Sequence, residues 1–154
     1  MRVKEEINEL SSRMETLPER IADFLLQNRV ATVCYTDEQN APQCFTCFFA
    51  FSGDMPVMIF KSSYGTAHED ITRLASEVAG SVLPEKLDMV KIKGIQFKGY
   101  TISESQISTE LMNLYYNKYP FARVKTGYIW AIRLESIKFT DNTLVFGHKT
   151  NWHA

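Results

Sequence analysis

Short segments rich in β-branched and aromatic residues, separated by turn residues, constrain the fold of this chain most strongly. Residues 30–36 form one such segment, residues 37–40 carry turn chemistry, and residues 43–49 form the next segment. This arrangement predicts a β-hairpin. Further strands are predicted at residues 57–60, 78–83, 92–100, 128–140 as one bent strand, and 144–147. We therefore expect six or seven short antiparallel strands.

Helices are predicted between these strands. Pro18 suits the first turn of a helix whose apolar face runs to residue 25. A second helix is expected through Ile71 and Leu74. Ser103 and Gln106 have the spacing of a capping box, which predicts the start of a third helix that ends near residue 118. Strands with inserted helices indicate an α+β protein centred on a closed or partly closed β-barrel.

The size and charge of the chain limit its organisation and partners. Its 154 residues suit one domain. We expect residues 1–17 to be an N-terminal extension and residues 18–154 to be the domain. Lys and Arg number 17 against 18 Asp and Glu, which argues against general binding to nucleic acid or an anionic membrane. No apolar run approaches the roughly 20 residues of a membrane span, and a cytoplasmic location is expected.

The three cysteines are Cys34, Cys44 and Cys47. An odd number without a signal peptide favours a reducing compartment. Cys44 and Cys47 have the Cys-x-x-Cys spacing of redox and zinc sites, but they lie in a predicted strand, where residues three apart point to opposite faces. Half-buried thiols are therefore the preferred interpretation, and no metal site is predicted.

Residues 60–69 connect an apolar strand to a helix start and carry hydroxyl, ammonium and imidazole groups. Backbone N–H groups and the helix dipole bind phosphate at such a position. The Thr66 and Glu69 spacing also matches a capping box, which would stabilise the helix without a ligand. Both interpretations remain open on the local pattern alone.

The predicted strand at residues 92–100 has two different faces. Alternation places Ile95 and Phe97 on one face and Gly94, Gln96 and Lys98 on the other. Glycine in a strand permits close approach of a ligand or another backbone. The polar face therefore either lines a pocket or is solvated.

The order of these elements resembles that of the FMN-binding split-barrel superfamily, which includes the pyridoxamine phosphate oxidases. The likeness covers residues 18–154 and rests on residues 94–99, residues 119–123, residues 137–143 with 146–147, and Trp152. It implies a six-stranded antiparallel Greek-key split β-barrel with flanking helices. It also implies a homodimer that holds FMN in a cleft at the subunit interface.

The resemblance assigns candidate cofactor-binding residues. The flavin-edge strand matches Gln43, Cys44, Phe45 and Thr46, and Gln96 matches a glutamine that reaches the flavin. The part of the family site that binds the FMN phosphate matches Phe60, Lys61, Ser62, Ser63, Thr66 and His68. An alternative role for His68 is packing at the dimer interface. Trp152 either stacks on a ligand or seals a core or interface.

Departures from the family pattern affect the expected function. Gln43 stands where the oxidases carry arginine, residues 67–68 lack their Arg-Lys pair, and the last seven residues contain no arginine. Oxidation of vitamin B6 is therefore not expected. The leading hypothesis is an FMN-binding, NAD(P)H-linked oxidoreductase acting on a small molecule, whose chemistry belongs to the cofactor. The alternative is a non-catalytic flavin- or haem-binding carrier or sensor dimer.

Overall fold

A computed structural model describes residues 16–53, 55–65, 77–142 and 149–154 of the chain. The helices are α1 (Glu19–Gln27) and α2 (Thr109–Lys118), with short 3₁₀ helices at Glu104–Gln106 and Pro120–Val124. The strands are β1 (Val30–Thr36), β2 (Pro42–Phe51), β3 (Val57–Ser62), β4 (Glu77–Val82), β5 (Lys93–Ile102), β6 (Tyr128–Asp141) and β7 (Lys149–His153). None of the described helices is long and apolar enough to cross a membrane.

The strands form one antiparallel sheet in the order β3-β2-β1-β4-β5-β6-β7. An additional pairing between β3 and β6 closes the first six of them into a barrel, and β7 extends the sheet beyond β6. Because β4 returns to pair with β1 after the β1-β2-β3 meander, the connection is a Greek key. The predicted α+β split barrel is confirmed.

Strand pairing places one row of apolar residues across the inside of the barrel, here named the inner row. It consists of Phe45, Val33, Gly80, Phe97, Ile137 and Trp152, each aligned with the next on the neighbouring strand. All but Phe45 and Gly80 are buried. Alternate residues of the same strands point outwards, so the barrel core and the outer face of the sheet have separate side-chain sets.

Helix α1 and the C-terminal half of β6 come together at the barrel. Ile21, Phe24 and Leu25 of α1 are buried in the interior cluster. A guanidinium nitrogen of Arg20 donates to Asp141 Oδ2 at 3.0 Å, and the Asp141 side chain is buried. Apolar packing and the Arg20–Asp141 ion pair thus hold α1 against the barrel.

Helix α2 covers the outside of the barrel over β2, β3 and β6. Leu111 and Tyr115 join Ile59 in a second apolar cluster outside the barrel interior. The hydroxyl of Tyr119, which follows α2, donates to the backbone carbonyl of Phe49 at 2.6 Å. The sheet region under α2 is therefore not available to a ligand, in contrast to the outer face of β1, β4 and β5.

Most predicted elements match the described structure. The β1-β2 hairpin, β5 and the bent strand β6 are confirmed, and the bend in β6 is a bulge at which Lys98 pairs with Ser136 and Gly99 with Leu134. The predicted strand at residues 144–147 and the helix through Ile71 and Leu74 lie outside the described residues.

The third predicted helix starts later than expected. The Ser103 and Gln106 capping box closes only the short 3₁₀ helix at Glu104–Gln106, after which Ile107 is extended. The Ser108 hydroxyl then accepts from the backbone N–H of Leu111 and begins α2. Two caps occur within a few residues, and the spacing alone does not distinguish which one starts the longer helix.

Candidate functional site

A row of polar side chains crosses the outer face of the sheet, here named the Gln96 row. It consists of Thr46, Thr32, Ser81, Gln96, Lys138 and Asn151, each aligned with the next across the pairs β2-β1, β1-β4, β4-β5, β5-β6 and β6-β7. The two threonine hydroxyls lie 3.5 Å apart. This row brings hydroxyl, amide and ammonium groups together from strands that are distant in sequence.

A second outer-face row, the Cys34 row, runs beside it. It consists of Cys44, Cys34, Ala79, Lys98, Ser136 and His153. An open cavity of about 480 Å³ lies over part of both rows, from Ser81 to Asn151 of the Gln96 row and from Cys34 to His153 of the Cys34 row. Its volume falls within the roughly 300–1,000 Å³ typical of small-molecule and cofactor sites.

The cavity combines small side chains with cationic groups. Ala79 and Ser81 form part of its floor, and Gln96, Lys98 and Lys138 line it. Glutamine offers both a donor and an acceptor, and lysine offers positive charge without an acceptor. The arrangement suits a ligand that has a flat apolar part, a polar edge and a negative group.

The predicted flavin-edge residues divide between the two faces of β2. Cys44 and Thr46 are exposed on the outer face, and Phe45 points inwards and packs against the barrel core. The side chain of Gln43 is exposed, and its Nε2 donates to Asp37 Oδ2 at 3.0 Å. The structure thus brings Cys44, Thr46 and Gln96 to the same face of the sheet.

The predicted phosphate residues at the end of β3 carry several internal contacts. The Phe60 ring is buried and stacks on Trp130 at 4.6 Å between ring centroids. The hydroxyl of Ser62 is buried and accepts from Trp130 Nε1 at 2.8 Å. Ser63 is exposed, whereas Thr66 and His68 lie outside the described residues. Their phosphate role stays a prediction.

Lys61 connects β3 to the segment that precedes β6. Its Nζ donates to the Tyr116 hydroxyl at 3.0 Å and to the backbone carbonyls of Ala122 and Lys125, both at 2.7 Å. An ammonium group has three N–H donors, and these three acceptors match them. Any phosphate bound by Lys61 has to replace one of these contacts.

We expect Lys61→Met to lower the free energy of unfolding by about 2 kcal/mol, because two carbonyls and a hydroxyl lose a charged donor. Urea denaturation of the ligand-free protein measures the change. Lys149→Met is the matched control, since Lys149 is an exposed strand lysine. Unchanged stability in Lys61→Met would show that Lys61 is not structural and would leave phosphate binding as its main role.

The two remaining candidates differ in exposure. Gln96 is exposed and lines the cavity. Trp152 is 1% exposed and lies in the inner row. The Trp152 ring is therefore separated from an outer-face ligand by the sheet itself, and a stacking role would require the barrel to open.

The sequence patterns do not identify three residues of the candidate site, which are Ser81, Lys138 and Asn151. Lys138 does alternate with the buried Ile137 and Phe139 in β6, which indicates an outward side chain. The alternation does not say which strands neighbour β6, so only the register of the folded sheet places Lys138 beside Gln96.

Two thiols show raised pKa values. The pKa of Cys34 is raised mainly by desolvation and, to a smaller extent, by the neighbouring Cys44. Burial raises the pKa of Cys47 to about 12. Cys47 packs against the barrel core and Cys44 is exposed, which confirms that the Cys-x-x-Cys residues lie on opposite faces. The expectation of half-buried thiols is therefore correct for Cys47 and wrong for Cys44, whose side chain points to the outer face.

Exposed apolar side chains flank the cavity. A second cavity of about 450 Å³ shares Ser81 with the first. The second cavity is lined by the large exposed side chains Val30, Phe48, Leu83 and Leu87, and Met89, Val90 and Ile92 in the segment after Leu87 are exposed as well. Such a patch on a small domain is typical of an interaction surface.

Comparisons with solved structures find the same fold in cofactor-binding proteins. An FAD-binding protein of Mycobacterium smegmatis matches with a TM-score of 0.61 and 10% identity over 91% of this chain and 99% of that one. A heme-binding protein of Mycobacterium smegmatis matches with a TM-score of 0.65 and 11% identity over 90% of this chain and 60% of that one. At these identities the likeness shows the fold alone.

A sequence comparison identifies closer relatives, although no family model matches the chain. The UPF0306 protein YhbP of Salmonella paratyphi C is 34% identical over 140 residues, which cover 90% of this chain and 94% of the relative. The identity extends over nearly the whole barrel. The chain therefore belongs to the UPF0306 family.

Proposed function

We propose that this protein binds a flavin-type cofactor, FMN, in the cavity on the outer face of its barrel. The alignment of the Gln96 and Cys34 rows under one cavity of about 480 Å³ carries this proposal. The fold it shares with an FAD-binding protein supports it, as does the resemblance to the pyridoxamine phosphate oxidases.

The residues present fit this cofactor. The small side chains of Ala79 and Ser81 leave space above the sheet for a planar ring. The Gln96 amide is placed to pair with the polar edge of such a ring, and Lys98 and Lys138 supply positive charge for the phosphate. In this assignment the cavity lysines take over part of the phosphate-binding role that the sequence predicts for Lys61.

A bound flavin supplies hydride and electron transfer, while the protein binds and orients the ring. For the activity of the flavin-loaded protein, we propose an NAD(P)H-linked oxidoreductase that acts on a small molecule. A carrier or sensor that holds the flavin without turnover is the alternative, and steady consumption of NAD(P)H by the loaded protein distinguishes the two.

Haem is the second candidate ligand. His153 lines the same cavity, and imidazole is a common axial ligand of haem iron. The heme-binding protein of Mycobacterium smegmatis with the same fold supports this candidate. In this case the protein would serve as a haem carrier.

We also propose that a second copy of the chain covers the exposed apolar patch beside the cavity. Leu87, Met89 and Val90 are 71%, 100% and 81% exposed, which is unfavourable for large apolar side chains in water. A homodimer would bury them and wall the cavity from one side. Sedimentation of the purified protein at several concentrations tests this assembly.

Ligand titration tests the proposed function. We expect the purified protein to take up FMN, with quenching of flavin fluorescence, and to bind it more tightly than FAD or haem. Gln96→Leu should weaken FMN binding about tenfold, because the ring loses its amide partner.

Gln27→Leu is the matched control, since it makes the same change on the exposed surface of α1. It should bind FMN as the parent protein does. Protein that takes up no flavin, or equal FMN affinity in both variants, would contradict the proposed site. Haem uptake that is lost in His153→Ala would instead support the haem carrier.

A further inference from the structure

Cys34 and Cys44 lie directly opposite each other on β1 and β2. At the hairpin end, the Asp37 N–H donates to the Ala41 carbonyl at 2.9 Å. The next pair of the ladder contains Pro42, which has no N–H to donate. Hydrogen-bonded and non-hydrogen-bonded pairs alternate from there, so Cys34 and Cys44 form a non-hydrogen-bonded pair.

This position suits a disulfide. Opposed residues of antiparallel strands have Cα atoms about 4.5–5.5 Å apart, and the shorter value belongs to non-hydrogen-bonded pairs. A disulfide bridges Cα atoms about 4.4–6.8 Å apart. Bond formation therefore needs rotation of two side chains and no movement of the strands.

Both thiols are accessible, unlike the third cysteine. Cys34 and Cys44 are exposed, and Cys34 lines both the cavity of about 480 Å³ and a neighbouring one of about 390 Å³. Cys47 is half-buried and packs against the barrel core. A small reagent can reach the first two sulfurs from the outer face.

We propose that Cys34 and Cys44 are a redox-active dithiol that closes to a reversible cross-strand disulfide on reaction with a small-molecule disulfide. The proposal does not depend on the identity of the cofactor. It assigns a modification site to the outer face of the β1-β2 hairpin, at the edge of the cavity.

The reaction is thiol–disulfide exchange in two steps. The thiolate of one cysteine attacks a sulfur of the small disulfide, forming a mixed disulfide and releasing one small thiolate. The other cysteine thiolate attacks the protein sulfur of this mixed disulfide, closes the Cys34–Cys44 bond and releases the second small thiolate. The two electrons pass from the dithiol to the small disulfide, and the released thiolates take up the two protons.

Exchange with glutathione disulfide tests the proposal. The reduced protein is incubated with glutathione disulfide, quenched with acid, unfolded and alkylated, and its intact mass is measured. We expect loss of two of the three alkylatable thiols, no bound glutathione, and a crosslink between the Cys34 and Cys44 peptides after digestion with chymotrypsin, which cleaves after Tyr35 and Phe45 and so separates the three cysteines. Addition of excess reduced glutathione should restore all three thiols.

Single variants separate this reaction from unspecific thiol oxidation. Cys34→Ser and Cys44→Ser should each retain one stable glutathione adduct, because the second thiol that resolves the mixed disulfide is missing. Cys47→Ser should close the disulfide as the parent protein does. Three free thiols in the treated parent protein, or a persistent adduct on it, would overturn the proposal, as would a Cys47-containing disulfide.

Discussion

Gly80→Ala should destabilise the protein by on the order of 3 kcal/mol, which corresponds to a melting temperature about 10 °C lower. A methyl group at Gly80 would lie 2.3 Å from Cζ of the buried Phe97 ring and 2.4 Å from the Thr32 backbone oxygen. The ring is enclosed in the core and the carbonyl belongs to the sheet, so neither moves away easily. Thermal and urea unfolding monitored by circular dichroism measure the loss.

Gly94→Ala is the matched control for this prediction. A methyl group at Gly94 would lie 3.1 Å from the end of the Leu83 side chain and 3.2 Å from the Val82 carbonyl oxygen. Leu83 is exposed and can shift, so we expect a loss below about 1 kcal/mol. Equal stability of the Gly80 and Gly94 variants would contradict the close packing of the inner row.

Trp152→Ala should lower the free energy of unfolding by about 3–5 kcal/mol, because it removes a large side chain from the barrel core. The ring is 1% exposed and aligns with Ile137 in the inner row. β7 therefore contributes to the core although it lies outside the six strands that close the barrel. Urea denaturation of the ligand-free protein gives the magnitude.

Phe121→Ala provides the comparison for an exposed aromatic ring. Phe121 is 54% exposed, and its removal should cost less than about 1 kcal/mol. The same preparations can be titrated with FMN. A Trp152→Ala variant of unchanged stability but weakened FMN binding would favour ligand stacking over core packing.

Local patterns in the sequence predict much of the fold. β-Branched and aromatic segments with turn residues between them identify the β1-β2 hairpin, and alternation in residues 92–100 assigns both faces of β5. They do not predict the pairing of β3 with β6, because two strands of similar composition carry no local signal of their register. Closure of the barrel comes from the resemblance to a known fold.

The candidate site was predicted less completely for the same reason. Alternation and the resemblance identify Gln96, and its row partner Thr46 lies on the predicted flavin-edge strand. The contribution of Lys138 depends on register across β5 and β6. The Lys61 ammonium group donates to backbone carbonyls that are distant in sequence, and a residue pattern around β3 cannot indicate such partners.

The pairing of β3 with β6 also affects how the chain folds. These strands are separated by β4, β5 and α2, so the barrel closes only when the two ends of a long intervening segment meet. Non-local strand pairs form slowly, because loop-closure entropy is lost before their contacts are gained. Until β6 is synthesised and pairs with β3, the apolar residues 57–60 of β3 lie on an unpaired strand edge that other nascent chains can contact. We therefore expect docking of β6, the last long strand of the barrel, to limit the folding speed and the yield of native protein at high concentration.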